Sequence, residues 1–401
     1  MEKVGRLSVA LEGQLGAPFP AGRLPPVAGL DLERTRAALD QGQSDGHQVG
    51  SLVHVSVAGH GTATIALGLA RPGVSMQPDT LMPWFSCTKL VTALAVAMQW
   101  ERGEVDLDDP VHAHIPAFAG GGRDRITVRH LLTHTAGLRA GDGTARAMRE
   151  ESWEDAVARV AATAPEDGWE PGQRAGYHLR GTFLLLGEIV RVTSGRPFDD
   201  YVSEEIFGPL GMTDSWLAML PERVRAYGDR LGVMYDTTGE PRPISAFTDE
   251  WAYARPHPAA SGVGPVGELC RLAEVLLGHG TRGSSRLLGP QTVEAMVARH
   301  RVGLMDETFG AKIDWGLGVM VNSWYYRRQP APYGYGDHAS MRAFGHGGSQ
   351  SSVCFADPEH GLAVAFIGNG MPGEPANHRR TQPVLTALYE DLGLAPPAPI
   401  V

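Results

Sequence analysis

Between Ser51 and Leu69 short β-branched runs flank Ala58-Gly59-His60-Gly61, a pattern that predicts an antiparallel hairpin. The period changes at Thr88. Through TKLVTALAVAMQWER, ending at Arg102, apolar residues recur at helical spacing with no Gly or Pro before Gly103. That stretch predicts a buried helix with Ser86 at its mouth. Ile126–Thr135 opens on a capping-type Thr127 and leads to Gly137, and Gly181–Thr193 predicts another apolar helix ending before Ser194-Gly195. Near the end, Ser352–Ala356 and Leu362–Ile367 are apolar runs separated by the turn sequence Asp357-Pro358-Glu359-His360-Gly361, a second hairpin. Thr381–Leu392 predicts a closing amphipathic helix.

Strands near both termini with helices between them predict an α+β chain: one antiparallel sheet built from the N- and C-terminal segments, with a mainly helical lobe inserted. The expected division is 1–84 with 300–401 for the sheet lobe and 85–299 for the helical lobe, the active site lying between them. No internal repeat or long low-complexity linker interrupts this plan.

At 401 residues, 43% of them hydrophobic, the chain can bury a large core, which excludes overall disorder. A formal net charge of −10 supplies none of the basic surface that nucleic acid requires. No run approaches the roughly 18 apolar residues of a membrane span. Met1–Pro20 lacks the continuous apolar core of a secretory signal, so the expected location is cytoplasmic. Cys87, Cys270 and Cys354 are widely spaced and odd in number, fitting neither a disulfide framework nor a zinc site, and no metal or other cofactor is expected. Of the 35 basic residues only Lys3, Lys89 and Lys312 are lysines, which makes the position of Lys89 informative.

Lys89 falls in Ser86-Cys87-Thr88-Lys89. Residues three apart on a first helical turn share a face, so the Lys89 amine is expected beside the Ser86 hydroxyl. A serine hydroxyl is a weak nucleophile that must lose its proton as it attacks. A lysine in an apolar helix can accept that proton if desolvation lowers its pKa from about 10.4, whereas an arginine cannot. Backbone N–H groups at the helix start face the developing oxyanion.

FSCTKLVTALAVAMQWERGEVDLDDPV followed by ITVRHLLTHTAGL, then YHLRGTFLLLGEIVRVTSGRPFDDYVSEEIFGPLGMTDSW and FGHGGSQSSVCFADPEHGLAVAFIGNG, resembles the serine β-lactamase and penicillin-binding-protein-like family, especially its class C, carboxylesterase and transacylase branches. The resemblance runs in order from about Leu81 to Gly370. It implies a β-lactamase/transpeptidase-like fold, Ser86 as nucleophile, Lys89 as its base and Tyr177 as the proton relay to the leaving group. It sets His346-Gly347-Gly348 in the place of the Lys-Thr-Gly triplet, and makes the N–H groups of Ser86 and Ser349 the oxyanion hole. His346 is accordingly a catalytic candidate. His178, Gly347 and Gly348 are candidate substrate contacts, with Trp324 and Tyr333 from the aromatic run Trp324–Tyr335 as walls of a pocket. His130 and His134 lie in a stretch that recurs in the family as scaffold.

Two departures bear on substrate. The family's Tyr-x-Asn is here Tyr177-His178-Leu179, without the amide contact, and the triplet's lysine is His346, whose charge at neutral pH is not assured. Both weaken a β-lactam or cell-wall peptide reading. What remains is an acyl-Ser86 enzyme that takes a small-molecule ester or amide and passes the acyl group to water, as a carboxylesterase does, or to a small amine or alcohol, as a transacylase of specialised metabolism does. A β-lactamase, a D-amino peptidase or an inactive binding relative stays open, as does the oligomeric state.

Overall fold

The computed structural model describes residues 32–58, 60–142, 151–326 and 333–394. Met1–Pro20, Lys3, the turn residue Gly59 and positions 327–332 of the aromatic run therefore lie outside the described residues. The first hairpin forms as β1 (Gly50–Val57) and β2 (Gly61–Arg71), followed by the short β3 (Val74–Ser75). Late in the chain come β4 (Asp314–Trp315), β5 (Met320–Val321), β6 (Phe344–Gly348), β7 (Ser352–Asp357) and β8 (Leu362–Gly368). All eight join one antiparallel sheet in the order β4-β5-β6-β7-β8-β1-β2-β3. The two ends of the chain meet where β1 pairs with β8, Val53 opposite Phe366 and Val55 opposite Val364.

The pleat sorts each strand's residues between two cores. Val53, Val55, Val353, Phe355, Val364 and Phe366 face α1 (Glu33–Ser44) and the C-terminal helix, which pack on each other. Their alternates, among them Leu52, Cys354, Ala363 and Ala365, face the larger core that holds α2 (Thr88–Glu101), α3 (Gly181–Ser194) and α4 (Val266–Leu277). All three cysteines are buried and free.

The terminal helix, α5, runs Glu374–Asp391 and so begins well before the expected Thr381. The polar stretch ahead of Thr381 hides the start, which is set by a proline in the first turn, where its missing N–H costs nothing. Around Thr127 the helix is only Val128–Leu132, closed by a capping box in which Thr127 Oγ1 accepts the His130 N–H at 3.4 Å and His130 Nδ1 accepts the Thr127 N–H at 3.1 Å.

A buried ion pair ties the segment at Tyr177 to the late part of the chain. Asp306 accepts from Arg301 Nη2 at 2.9 Å and from the backbone N–H groups of Tyr177, Thr308 and Phe309 at 3.0, 3.0 and 3.1 Å. Arg301 also donates to the carbonyls of Thr133 and Ile313. Both side chains are essentially inaccessible, so removing one leaves an unmatched buried charge. Asp306→Ala is expected to lower the unfolding free energy by about 3–5 kcal/mol, read from urea denaturation. The exposed pair Arg34–Glu390 is the comparison, and Arg34→Ala is expected to cost under about 1 kcal/mol. Equal midpoint shifts for the two variants would remove the structural role of the buried pair.

Candidate active site

Thr88–Gln99 of α2 is buried on every face, and Ser86 sits just ahead of it in a 3₁₀ turn, Phe85–Cys87. Phe85 adopts φ 48°, a left-handed conformation that costs a non-glycine residue about 1–3 kcal/mol. Such strain persists only where surrounding contacts fix it, and here they do. The Trp84 indole donates to the Gly264 carbonyl at 3.1 Å, and a Cβ at Gly262 would strike that indole at 2.6 Å. Ser352 Oγ donates to the Trp84 carbonyl at 2.7 Å, and Thr88 Oγ1 donates to the Phe85 carbonyl at 2.6 Å. The same Thr88 oxygen accepts the Gly262 N–H at 2.9 Å, while Thr92 Oγ1, one turn on, donates to the Pro258 carbonyl at 2.6 Å. Two hydroxyls at i, i+4 thus strap the segment 258–262 along α2.

That strap, with the segment 177–180, surrounds the Lys89 amine. Lys89 Nζ lies 3.1 Å from Ser86 Oγ, 2.8 Å from the Leu179 carbonyl and 3.3 Å from the Ala259 carbonyl. Burial lowers its pKa to about 7, with Asp142 opposing and Arg180 assisting the shift. A neutral amine has two N–H donors and one lone pair, so with the two carbonyls accepting, the lone pair is left for the Ser86 hydroxyl. Asp142 holds the Leu179 end by accepting the N–H groups of Leu179, Arg180 and Gly181 at 2.7, 2.8 and 2.8 Å.

Tyr177 completes the group. Lys89 Nζ lies 5.0 Å from its ring centre. Burial raises the phenol's pKa, so it stays protonated at neutral pH. His134 packs 4.5 Å from the Tyr177 ring, and its Nδ1 accepts the His178 N–H at 3.1 Å. His178 is itself fully buried with Nε2 accepting the Leu138 N–H at 2.8 Å, which makes it interior scaffold and not a surface that a substrate reaches.

From the sheet side, His346 lies on β6 with its ring 6.0 Å from that of Tyr177. Its Nδ1 lies 2.7 Å from the Gly347 carbonyl, and burial, with Lys89 nearby, pushes it down to about 3, so the imidazole is neutral. A Cβ at Gly348 would come within 2.4 Å of the Trp84 carbonyl and 3.1 Å of Phe85 Cβ, so the strand end leading to Ser349 abuts the turn carrying Ser86. Gly347 lies under the Tyr333 ring, which a Cβ there would strike at 2.2 Å, and Tyr333 Oη donates to Glu374 at 2.6 Å. Trp324 opens a 3₁₀ turn, Trp324–Tyr326, whose Tyr325 and Tyr326 hydroxyls bind Asp314. The Leu179 and Ala259 carbonyls, Asp142 and the Thr88–Thr92 straps escape sequence reasoning, because backbone groups carry no residue signature.

Among the described residues the one grouping with metal-ligand chemistry is His54, Cys270 and Glu274, whose ligand atoms lie within 4.8 Å of one another. Burial holds the Cys270 thiol protonated and Glu274 pairs with Arg282, and these residues belong to β1 and α4, not to the elements around Ser86.

A serine bonded to a buried amine beside a buried tyrosine, between an antiparallel sheet and packed helices, defines a serine hydrolase of the β-lactamase-like class. The chain belongs to the Beta-lactamase family, whose profile matches residues 35–388. It is 28% identical over 389 residues to Esterase EstB of Burkholderia gladioli, covering 85% of this chain and 92% of the esterase. Among solved structures it is similar to a penicillin-binding protein homologue from Caulobacter crescentus, with TM-score 0.73 and 29% identity over 92% of this chain and 99% of that one. It is also similar to EstCE1, a hydrolase with promiscuous acyltransferase activity, with TM-score 0.74 and 25% identity over 89% and 98% of the two chains. The chain is an enzyme, and its family includes esterases, carboxypeptidases and amidases. Among the described residues no helix is long and apolar enough to cross a membrane.

The state of Lys89 sets a pH dependence. The amine accepts a proton only when neutral, and with its pKa lowered to about 7 the neutral fraction grows as pH rises through that value. The acid limb of kcat/KM for an ester substrate is expected to bend near pH 7. A profile flat from pH 5.5 to 8.5 would remove Lys89 as the base.

Proposed function

We propose that the protein cleaves carboxylic esters through an acyl-Ser86 intermediate, with Lys89 as base and Tyr177 as acid. The observation that carries this reading is the amine of Lys89, buried, 3.1 Å from Ser86 Oγ and held by two backbone carbonyls. Ser86 gives its proton to Lys89 as its oxygen bonds to the acyl carbon. The N–H groups of Ser86 and Ser349 receive the negative charge on the carbonyl oxygen. Tyr177, protonated and packed beside Lys89, gives its proton to the departing alkoxide, and the Lys89 ammonium restores the phenol. Water then releases the acid by the reverse path.

The neutral His346 supports an ester over a β-lactam, because no fixed cation stands on that strand to hold the lactam's carboxylate. Transfer to a bound amine or alcohol is the second reading. It is supported by the Tyr333 ring roofing Gly347, which screens that side of the site from water, and by the likeness to EstCE1.

Ser86→Ala is expected to abolish both fluorophosphonate labelling and hydrolysis of p-nitrophenyl esters, and Lys89→Arg to be nearly as inactive although the charge is kept. Tyr177→Phe is expected to lower kcat by about 10²–10⁴ while KM changes little. Wild-type turnover in Ser86→Ala would sink the mechanism. Products with a panel of amine and alcohol acceptors, resolved by mass spectrometry, decide between the two fates: free acid alone favours hydrolysis.

A further inference from the structure

Where α4 crosses β1, a histidine, a cysteine and a glutamate come together away from the elements around Ser86. On β1 the pleat turns Leu52 and His54 toward α4, and Val53 and Val55 toward the opposite core. The cross-strand neighbours of His54 are Ala365 on β8 and Thr64 on β2. α4 passes over this spot, packed on β1, β7 and β8. A Cβ at Gly267 would lie 3.4 Å from His54 Nδ1, so the helix meets the imidazole at van der Waals contact. One and two turns further along the same helix face stand Cys270 and Glu274.

The ligand atoms of His54, Cys270 and Glu274 lie within 4.8 Å of one another. A tetrahedral zinc ion with bonds of about 2.0–2.3 Å spaces its ligand atoms roughly 3.3–3.8 Å apart, so the three must close in by roughly 1 Å. The freedom to do so is where it is needed. Cys270 is fully buried and fixed in the helix, while His54 and Glu274 are only partly buried and can swing toward its sulfur.

Two of the three are already oriented by second partners. Thr64 Oγ1 lies 2.7 Å from His54 Nδ1, which fixes the ring and leaves Nε2 for a metal. Arg282 Nε donates to Glu274 Oε2, leaving Oε1. The guanidiniums near the cluster are engaged elsewhere as well: Arg282 also reaches the Leu210 carbonyl at 3.4 Å, and Arg271 binds the Gly211 carbonyl and lies 3.8 Å from Glu268.

The donor set selects the ion. Magnesium and calcium take oxygen ligands, whereas a thiolate with an imidazole suits zinc. One thiolate and one carboxylate balance its two charges, and three protein ligands leave a fourth position for water. As the Cys270 sulfur bonds to the metal, its proton passes to solvent, and nothing is oxidised or reduced.

We propose that His54, Cys270 and Glu274 form a zinc site, with water as the fourth ligand, that pins α4 to β1. The ion holds an element of the larger core to the strand on which the two ends of the chain meet, and it takes no part in the Ser86 chemistry.

Cobalt(II) is the probe, because a thiolate bound to it gives a charge-transfer band in the near ultraviolet and four-coordination gives intense visible bands. Chelator-treated full-length protein is expected to develop both with a single equivalent of Co²⁺. Zn²⁺ is expected to bleach them and to raise the melting midpoint. Cys270→Ala is expected to lose the charge-transfer band, and His54→Gln and Glu274→Gln each to weaken cobalt binding by about tenfold or more. No charge-transfer band in the wild type, or a band that persists in Cys270→Ala, would overturn the site. So would a band that neither His54→Gln nor Glu274→Gln weakens, since that marks a lone thiol. Should Cys270→Ala fail to fold, the two variants at the partly buried positions decide.

Discussion

An amine buried against two backbone carbonyls is the constraint on which the rest of this site depends. An ammonium in the interior costs several kcal/mol unless it is paired, and among the described residues Lys89 hydrogen-bonds to the carbonyls of Leu179 and Ala259 and the Ser86 hydroxyl, not to a carboxylate. The fold therefore favours the neutral form, the one with a lone pair to offer. Holding it there requires two distant segments to be fixed to α2 at once. Thr88 and Thr92 tie down 258–262, Asp142 and Asp306 tie down 177–181, and Arg301 ties Asp306 in turn to the carbonyls of Thr133 and Ile313. Loosening any of these moves a carbonyl, and with it the direction of the lone pair.

The charges follow from the same burial. On β6 the position that the resemblance sets in place of the Lys-Thr-Gly lysine holds His346, too buried to be charged.

Much of this was legible in the sequence where the signal is local. Ser86 and Lys89 share one helical turn, so their contact follows from spacing, and both hairpins follow from apolar runs around turn residues. Tyr177 and the His346-Gly347-Gly348 strand became legible through resemblance. The ion pair Arg301–Asp306 was not, because its target, the Tyr177 backbone, lies far away in the chain and backbone acceptors leave no pattern. The stretch 245–253 was not legible either: it is made of short 3₁₀ turns, Ser245–Phe247 and Glu250–Tyr253, which have no period to detect. The aromatic run Trp324–Tyr335 drew attention for its composition, yet the described part of it divides, Tyr333 roofing Gly347 while Tyr325 and Tyr326 bind Asp314.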